Sequence, residues 1–306
     1  MRGRLKPLRL FPLGGFTSVV IAGFFASYPI AAEERTMAIA ARGRSGYIEA
    51  NGIRQHYFEY GSGKRTIVVV PGITSPAITW DFVAYELAAD FRVLTIDIRG
   101  RGLTDHTADG YTLPELAADV AGFIRALGLN RPVLLGHSMG ARIVAAVGAI
   151  DPAVAGPLIV VEPPLTGPGR GPYPTSRETF QQQLRQAYSG TTVDEIRRSF
   201  PDWSERELQI RAEWLATCDE HAVLETYDNF GREDFFLYWR QLRAPVLFVL
   251  GGESPVVTPQ GEREVRAANP AAEIVTVVHA GHMVPWNNMS DFVAAVRRFA
   301  RAHARA

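Results

Sequence analysis

From residue 45 onward, short apolar blocks alternate with longer amphipathic stretches. The blocks fall at residues 66–70, 92–96, 133–135, 158–161, 246–250 and 274–278. They are rich in Val, Ile and Leu and lack period-two polar positions. That pattern predicts strands covered on both faces, as in a parallel sheet. Stretches with helical periodicity lie between several of them, at 113–127, 140–150, 260–269 and 291–301. The opening differs. Residues 47–50 and 53–60 flank Asn51-Gly52, which tolerate positive φ and suit a two-residue hairpin turn. An opening hairpin followed by strand–helix alternation predicts an α/β sandwich with a mostly parallel sheet.

Two regions depart from this rhythm. Between Val161 and Val246 no buried strand is evident. A turn-rich run at 163–172 leads into amphipathic sequence carrying Phe180, Leu184, Phe200, Trp203, Ile210 and Trp214. This predicts a helical cap over residues 165–240, inserted into a core formed by 45–164 and 241–303. Such a cap would cover the strand C-termini, where open α/β sheets bind ligands. The other region is residues 1–36. Arg2, Arg4, Lys6 and Arg9 precede an apolar run at 10–32 broken by Pro12, Gly14, Gly15, Gly23 and Pro29. It has the order of a secretory signal peptide, but Ile30 stands where cleavage after Ala32 would want a small residue. The alternative is an extension upstream of a true start at Met37. Translation from Met37 implies a cytoplasmic protein, and cleavage implies a periplasmic or secreted one. The glycines and prolines argue against a stable membrane span.

Composition narrows the function. The chain has 306 residues, with 32 Lys+Arg against 32 Asp+Glu and one cysteine, Cys218. Zero net charge argues against nucleic-acid binding by phosphate neutralisation. A single cysteine excludes an intramolecular disulfide framework and a multi-cysteine metal site. No metal or cofactor is expected, and the expected partner is a small-molecule substrate. The sequence leaves the oligomeric state open.

Gly136-His137-Ser138-Met139-Gly140 is the sharpest chemical signal. It follows an apolar strand block and opens a helical one, the context a nucleophile elbow requires. Ser138 is therefore the candidate nucleophile. A serine needs a base, and the base needs an orienting acid. His282 follows Gly281 in the loop after the last strand block and is the candidate base. His279 lies closer to the strand end and is expected to shape the loop. Two carboxylates compete for the third role: Glu162, at the end of block 158–161, and Glu253, with Glu162 preferred. Met139, directly after the nucleophile, and Ile73, after Pro71-Gly72, are the expected backbone donors of an oxyanion hole. The loop from Asp97 to Asp105 contains glycines but opens no helix and has no Lys-Ser/Thr pair. A structural role held by Asp97, Arg99 and Asp105 is expected in place of phosphate binding.

The hairpin, the Pro71-Gly72 turn, the Asp97–Asp105 loop, the elbow and His282 together resemble the α/β-hydrolase fold family over roughly residues 45–303. The resemblance implies an eight-stranded, mostly parallel sheet and the chain order Ser, acid, His. In many relatives the acid lies in the stretch equivalent to 251–257, where this chain carries Ser254. Within the family, residues 70–80, the turn at 163–174 with Gly167-Pro168-Gly169-Arg170, and an acid after the sixth strand are similar to the N-formylmaleamate deformylases of nicotinate degradation. That likeness implies an amidase cleaving a small N-acyl acid, with esterase or carbon–carbon hydrolase activity as the alternative and a non-catalytic binding protein as a third. Glu162 stands where an Asp is expected. A carboxylate substrate calls for a cation; Arg170 is the first candidate and Arg142 the second.

Overall fold

The structure is a computed structural model and describes residues 39–304. Residues 1–36 lie outside the described residues, and with them the question of a leader or an upstream start. Among the described residues, no helix is long and apolar enough to cross a membrane.

Eight strands form one sheet: β1 (Arg44–Ala50), β2 (Ile53–Tyr60), β3 (Thr66–Val70), β4 (Arg92–Ile96), β5 (Val133–His137), β6 (Leu158–Val161), β7 (Val246–Gly251) and β8 (Glu273–Val277). Their spatial order is β1-β2-β4-β3-β5-β6-β7-β8. The β1–β2 hairpin and the β2–β4 pair are antiparallel, and every later pair is parallel. Asn51 and Gly52, with φ of 51° and 77°, make the hairpin turn. Positive φ at both central positions gives the twist that joins two right-twisted strands.

Helices cover both faces. They are α1 (Asp81–Leu87), α2 (Leu113–Ala126) and α3 (Met139–Ile150), then α4 (Arg177–Ser189), α5 (Val193–Ser199), α6 (Glu205–Trp214), α7 (Glu220–Arg232) and α8 (Phe235–Trp239) between β6 and β7, then α9 (Pro259–Ala268), α10 (Val284–Asn287) and α11 (Met289–His303). Alternate strand residues feed two separate cores, as the pleat requires. Val68, Val70, Leu134 and Val160 pack with α2 and α3. Ile67, Val69, Leu135 and Ile159 pack with α1 and α11. Central strands β3 to β7 are therefore apolar on both sides, whereas the edge strand β8 is half-exposed.

Polar side chains buried at the strand ends fix the loops. Asp97 accepts from the Ala77 N–H at 2.6 Å, the Leu103 N–H at 3.1 Å and His56 Nδ1 at 2.7 Å. Arg99 makes a bidentate pair with Asp119, both bonds 2.6 Å, and Asp105 accepts from the Arg54 N–H at 2.8 Å. These bonds tie the Asp97–Asp105 loop to β2, α2 and the segment before α1.

Candidate active site

The elbow between β5 and α3 is forced by close backbone approach. A Cβ at Gly136 would lie 2.1 Å from the Gly140 carbonyl oxygen, and one at Gly140 would lie 1.9 Å from that of Val70. No side chain fits at either position, so the turn is as tight as the sequence allows. Ser138 takes φ 55° and ψ −118°, a costly conformation for a non-glycine residue. It stands just ahead of α3: the Ala141 and Arg142 N–H groups bond to its carbonyl at 3.0 and 3.3 Å, and those of Met139 and Gly140 precede any acceptor of the helix.

Ser138, His282 and Glu162 come together from three separate strand ends. Ser138 Oγ is 3.1 Å from His282 Nε2. His282 Nδ1 is 3.4 Å from Glu162 Oε2. Glu162 is fully buried directly after β6, at φ 50°. Its carboxylate also accepts from the Gly251 N–H at 2.7 Å and the Ser254 hydroxyl at 2.5 Å. Burial pushes the Glu162 carboxyl up, and the Gly251 and Ser254 donors oppose that by favouring the ionised form, the species that can accept from both. Burial also pushes His282 down to about 4, which keeps the imidazole neutral and able to accept a proton.

Ser254 occupies the place where a carboxylate is common and serves as a donor to the carboxylate from the neighbouring strand. Glu253, the competing candidate, points elsewhere. Its carboxylate is exposed and 3.7 Å from His279 Nδ1. The described contacts bring it nowhere near His282.

His137 holds His282 from behind. Its Nε2–H donates to the His282 carbonyl oxygen at 2.9 Å, and the two rings lie 4.9 Å apart. Complete burial drops its affinity for a proton to about 3. A neutral His137 can keep this bond across the ordinary pH range.

The loop after β3 faces the serine. Ser75 N–H donates to the Gly72 carbonyl at 3.1 Å, which fixes the Gly72–Ile73 peptide and hence the Ile73 N–H. Arg101 Nε holds the Ile73 carbonyl at 3.1 Å. Met139 N–H is the first of α3 and has no acceptor within the helix. The two N–H groups that sequence reasoning singled out therefore lie on peptides fixed by the elbow and the Gly72–Ser75 turn.

A cavity of about 190 Å³ opens over Ser138 and His282. The core contributes Gly72, Ile73, Thr74, His137 and Trp286 to its lining. The segment between β6 and β7 contributes Tyr173, Phe180, Gln183, Phe200, Trp203 and Arg211. The volume suits a small molecule and falls below the usual range of drug-sized pockets. A hydroxyl bonded to a neutral imidazole, itself backed by a buried carboxylate, is an arrangement that can activate the hydroxyl as a nucleophile.

Neither arginine singled out from the sequence lines this cavity. Arg170 turns away: its N–H closes a turn onto the Gly167 carbonyl at 3.0 Å, and its guanidinium pairs with Glu264 at 2.7 Å over the Phe236 ring. It borders a separate surface groove. Arg142 is buried beneath the elbow helix, donating to the carbonyls of Pro164, Thr166 and Glu233. Two residues that sequence reasoning missed do line the cavity. Tyr173 brings its hydroxyl to 3.2 Å from His282 Nε2, and Arg211 reaches Thr74. Neither position has a motif; only the packing of the inserted segment reveals them.

Comparison with known proteins agrees with this geometry. A profile described as the alpha/beta hydrolase family matches residues 67–296. The N-formylmaleamate deformylase of Pseudomonas putida is 41% identical over 255 residues, covering 83% of this chain and 95% of that protein. The 2-(acetamidomethylene)succinate hydrolase of Mesorhizobium japonicum is 25% identical over 241 residues, covering 74% of this chain and 84% of that one. Among solved structures, an N-formylmaleamic acid deformylase from Pseudomonas putida superposes with a TM-score of 0.79 at 38% identity, covering 83% of this chain and all of that one.

Proposed function

The chain belongs to the α/β hydrolase family, and on that premise we propose that it is a serine amidase that removes a small acyl group from an N-acyl acid. N-formylmaleamate, cleaved to maleamate and formate, is the leading substrate. The observation that carries the reading is the Ser138–His282–Glu162 relay, at 3.1 and 3.4 Å, under a cavity sized for a small molecule. The 41% identity to a deformylase supports the substrate class.

His282, oriented by Glu162, takes the Ser138 proton as Oγ attacks the formyl carbon. The tetrahedral oxyanion is held by the N–H groups of Met139 and Ile73, each supplying about 2.7–4 kcal/mol in comparable sites. His282 then protonates the departing nitrogen, releasing maleamate. Water, deprotonated by the same imidazole, attacks the formyl ester on Ser138 and releases formate. Glu162 remains a hydrogen-bond acceptor throughout and stabilises the imidazolium.

The decisive experiment compares turnover of N-formylmaleamate with that of a short aryl ester, alongside labelling of Ser138 by a fluorophosphonate probe. Preferred formyl-amide turnover with labelling is expected. Labelling with ester turnover alone would move the protein to the esterases, and an unlabelled serine would sink the hydrolase mechanism.

A further inference from the structure

Three arginines are buried in this protein without a carboxylate partner among the described residues, and they are not alike. Arg101 spreads its bonds over Ile73, Arg99, Ala222 and Thr226, all between 2.9 and 3.2 Å. Arg142 spreads its own over Pro164, Thr166 and Glu233, mostly to carbonyl oxygens. Both guanidinium groups are ringed by acceptors, and neither lines the cavity over Ser138. They are bolts in the framework.

Arg211 lines the cavity, and all its side-chain bonds go to one residue. Nη1 donates to the Thr74 carbonyl at 2.5 Å, and both Nη1 and Nη2 lie 3.2 Å from Thr74 Oγ1. A guanidinium has five N–H donors. Nε–H and one Nη2–H therefore remain without a partner among the described residues. Burial disfavours the charge, and an uncompensated buried cation is costly to keep. The other charged residue of the lining, Glu207, sits one turn earlier on α6 and does not neutralise it. Its carboxylate is half-exposed, accepts from the Ser204 N–H at 3.1 Å and forms no ion pair with Arg211 among the described residues.

We propose that Arg211 is the receptor for a carboxylate on the substrate. The substrate is then a small anion, with its carboxylate held by the free edge of the guanidinium. Thr74, which anchors Arg211, directly follows Ile73, so the guanidinium is tied to the residue next to the proposed oxyanion donor, and both it and Ser138 line the same cavity. The carboxylate and the scissile acyl group accordingly belong to one molecule small enough for a cavity of about 190 Å³. The word substrate here rests on the hydrolase reading; the anion site does not.

The test separates the two. In Ser138→Ala protein, which needs no turnover, titration calorimetry compares maleamate with maleamide, its neutral diamide. Maleamate is expected to bind at least about 10-fold more tightly, the size of a charged hydrogen-bonded contact. Equal affinities would overturn the proposal. Adding Arg211→Gln should erase the preference, and Arg211→Lys should keep part of it, because a point charge survives while the fork is lost. A full preference in folded Arg211→Gln protein would also overturn it. Should the glutamine variant fail to fold, the lysine variant carries the test, and an undiminished preference there counts against a role for the fork. Failure to hydrolyse N-formylmaleamate would refute the proposed reaction and leave the binding result standing.

Discussion

The sheet and the segment inserted between β6 and β7 contribute to one cavity in different ways. The sheet delivers Ser138, Glu162 and His282 from the ends of β5, β6 and β8, each position fixed by backbone constraints. Ser138 and Glu162 sit at φ 55° and 50°, in conformations that only a rigid surround can impose. The insertion delivers walls: Tyr173, Phe180, Phe200, Trp203 and Arg211, carried on helices and loops whose apolar side chains join both core clusters. Arg206 pairs with the buried Asp81 at 2.9 Å, and Arg211 reaches Thr74, so α6 is pinned beside the Gly72–Ser75 turn. The proposed mechanism thus assigns the chemistry to strand ends held by the sheet, and the selection among substrates to the walls that the insertion supplies.

That division can be broken by substitution. Ser138→Ala should cost the most, about 10⁴- to 10⁶-fold in kcat for every substrate, as for removal of a nucleophile elsewhere. Glu162→Gln should follow at about 10³- to 10⁴-fold, because an amide cannot stabilise the imidazolium. Glu253→Gln should leave steady-state rates intact, and a comparable loss there would move the acid to β7. Tyr173→Phe is expected to change activity only about 5- to 10-fold, the worth of one neutral hydrogen bond. Its effect should differ between formyl amide and aryl ester, whereas the two core substitutions should depress both alike. Arg170→Ala should be smallest, within about twofold, since the exposed pair with Glu264 contributes little. A large effect of Arg170→Ala would undo the assignment of the surface groove as separate from the site.

The pH profile sharpens the same comparison. His282 must be neutral to act as base, and burial holds its proton affinity down at about 4. As pH falls, activity in kcat/KM should persist below the ordinary imidazole value of about 6.5 and decline only towards the depressed one. An acid limb near 6.5 or above would mean that the imidazolium is stabilised by Glu162 more than burial opposes it. Because His282 and Glu162 interact, the limb belongs to the pair.

Much of the sheet was legible because buried parallel strands write themselves as continuous apolar runs. The site was legible where backbone geometry demands a residue type, as at Gly136 and Gly140, or where chain order does, as at His282. Glu162 could be named, but the role of Ser254 could not, because a hydroxyl beside a strand end carries no signal until its neighbour is known. Helix α1 went unseen for a local reason: Trp80 stands at its N-cap and offers no side-chain cap. Arg211 was hidden for a different one. Helix α6 reads Glu-Arg-Glu-Leu-Gln-Ile-Arg-Ala-Glu-Trp, and nothing along it tells which charge is turned inward. Arg170 drew attention by its closeness in sequence to Glu162, and the turn at Gly167–Arg170 carries it the other way.

The clasp on Glu162 has a mechanical consequence. The carboxylate leaves the chain from β6, whereas Gly251 and Ser254, which hold it, belong to β7 and the loop beyond. The Glu162 N–H in turn bonds back to the Val249 carbonyl at 3.0 Å. Sliding one strand against the other by a single step would carry the carboxylate out of its clasp and out of line with His282. With Glu162 in its proposed role, turnover depends on the alignment of two neighbouring strands, and a perturbation that loosens that seam should register first as lost catalysis while the surrounding fold still stands.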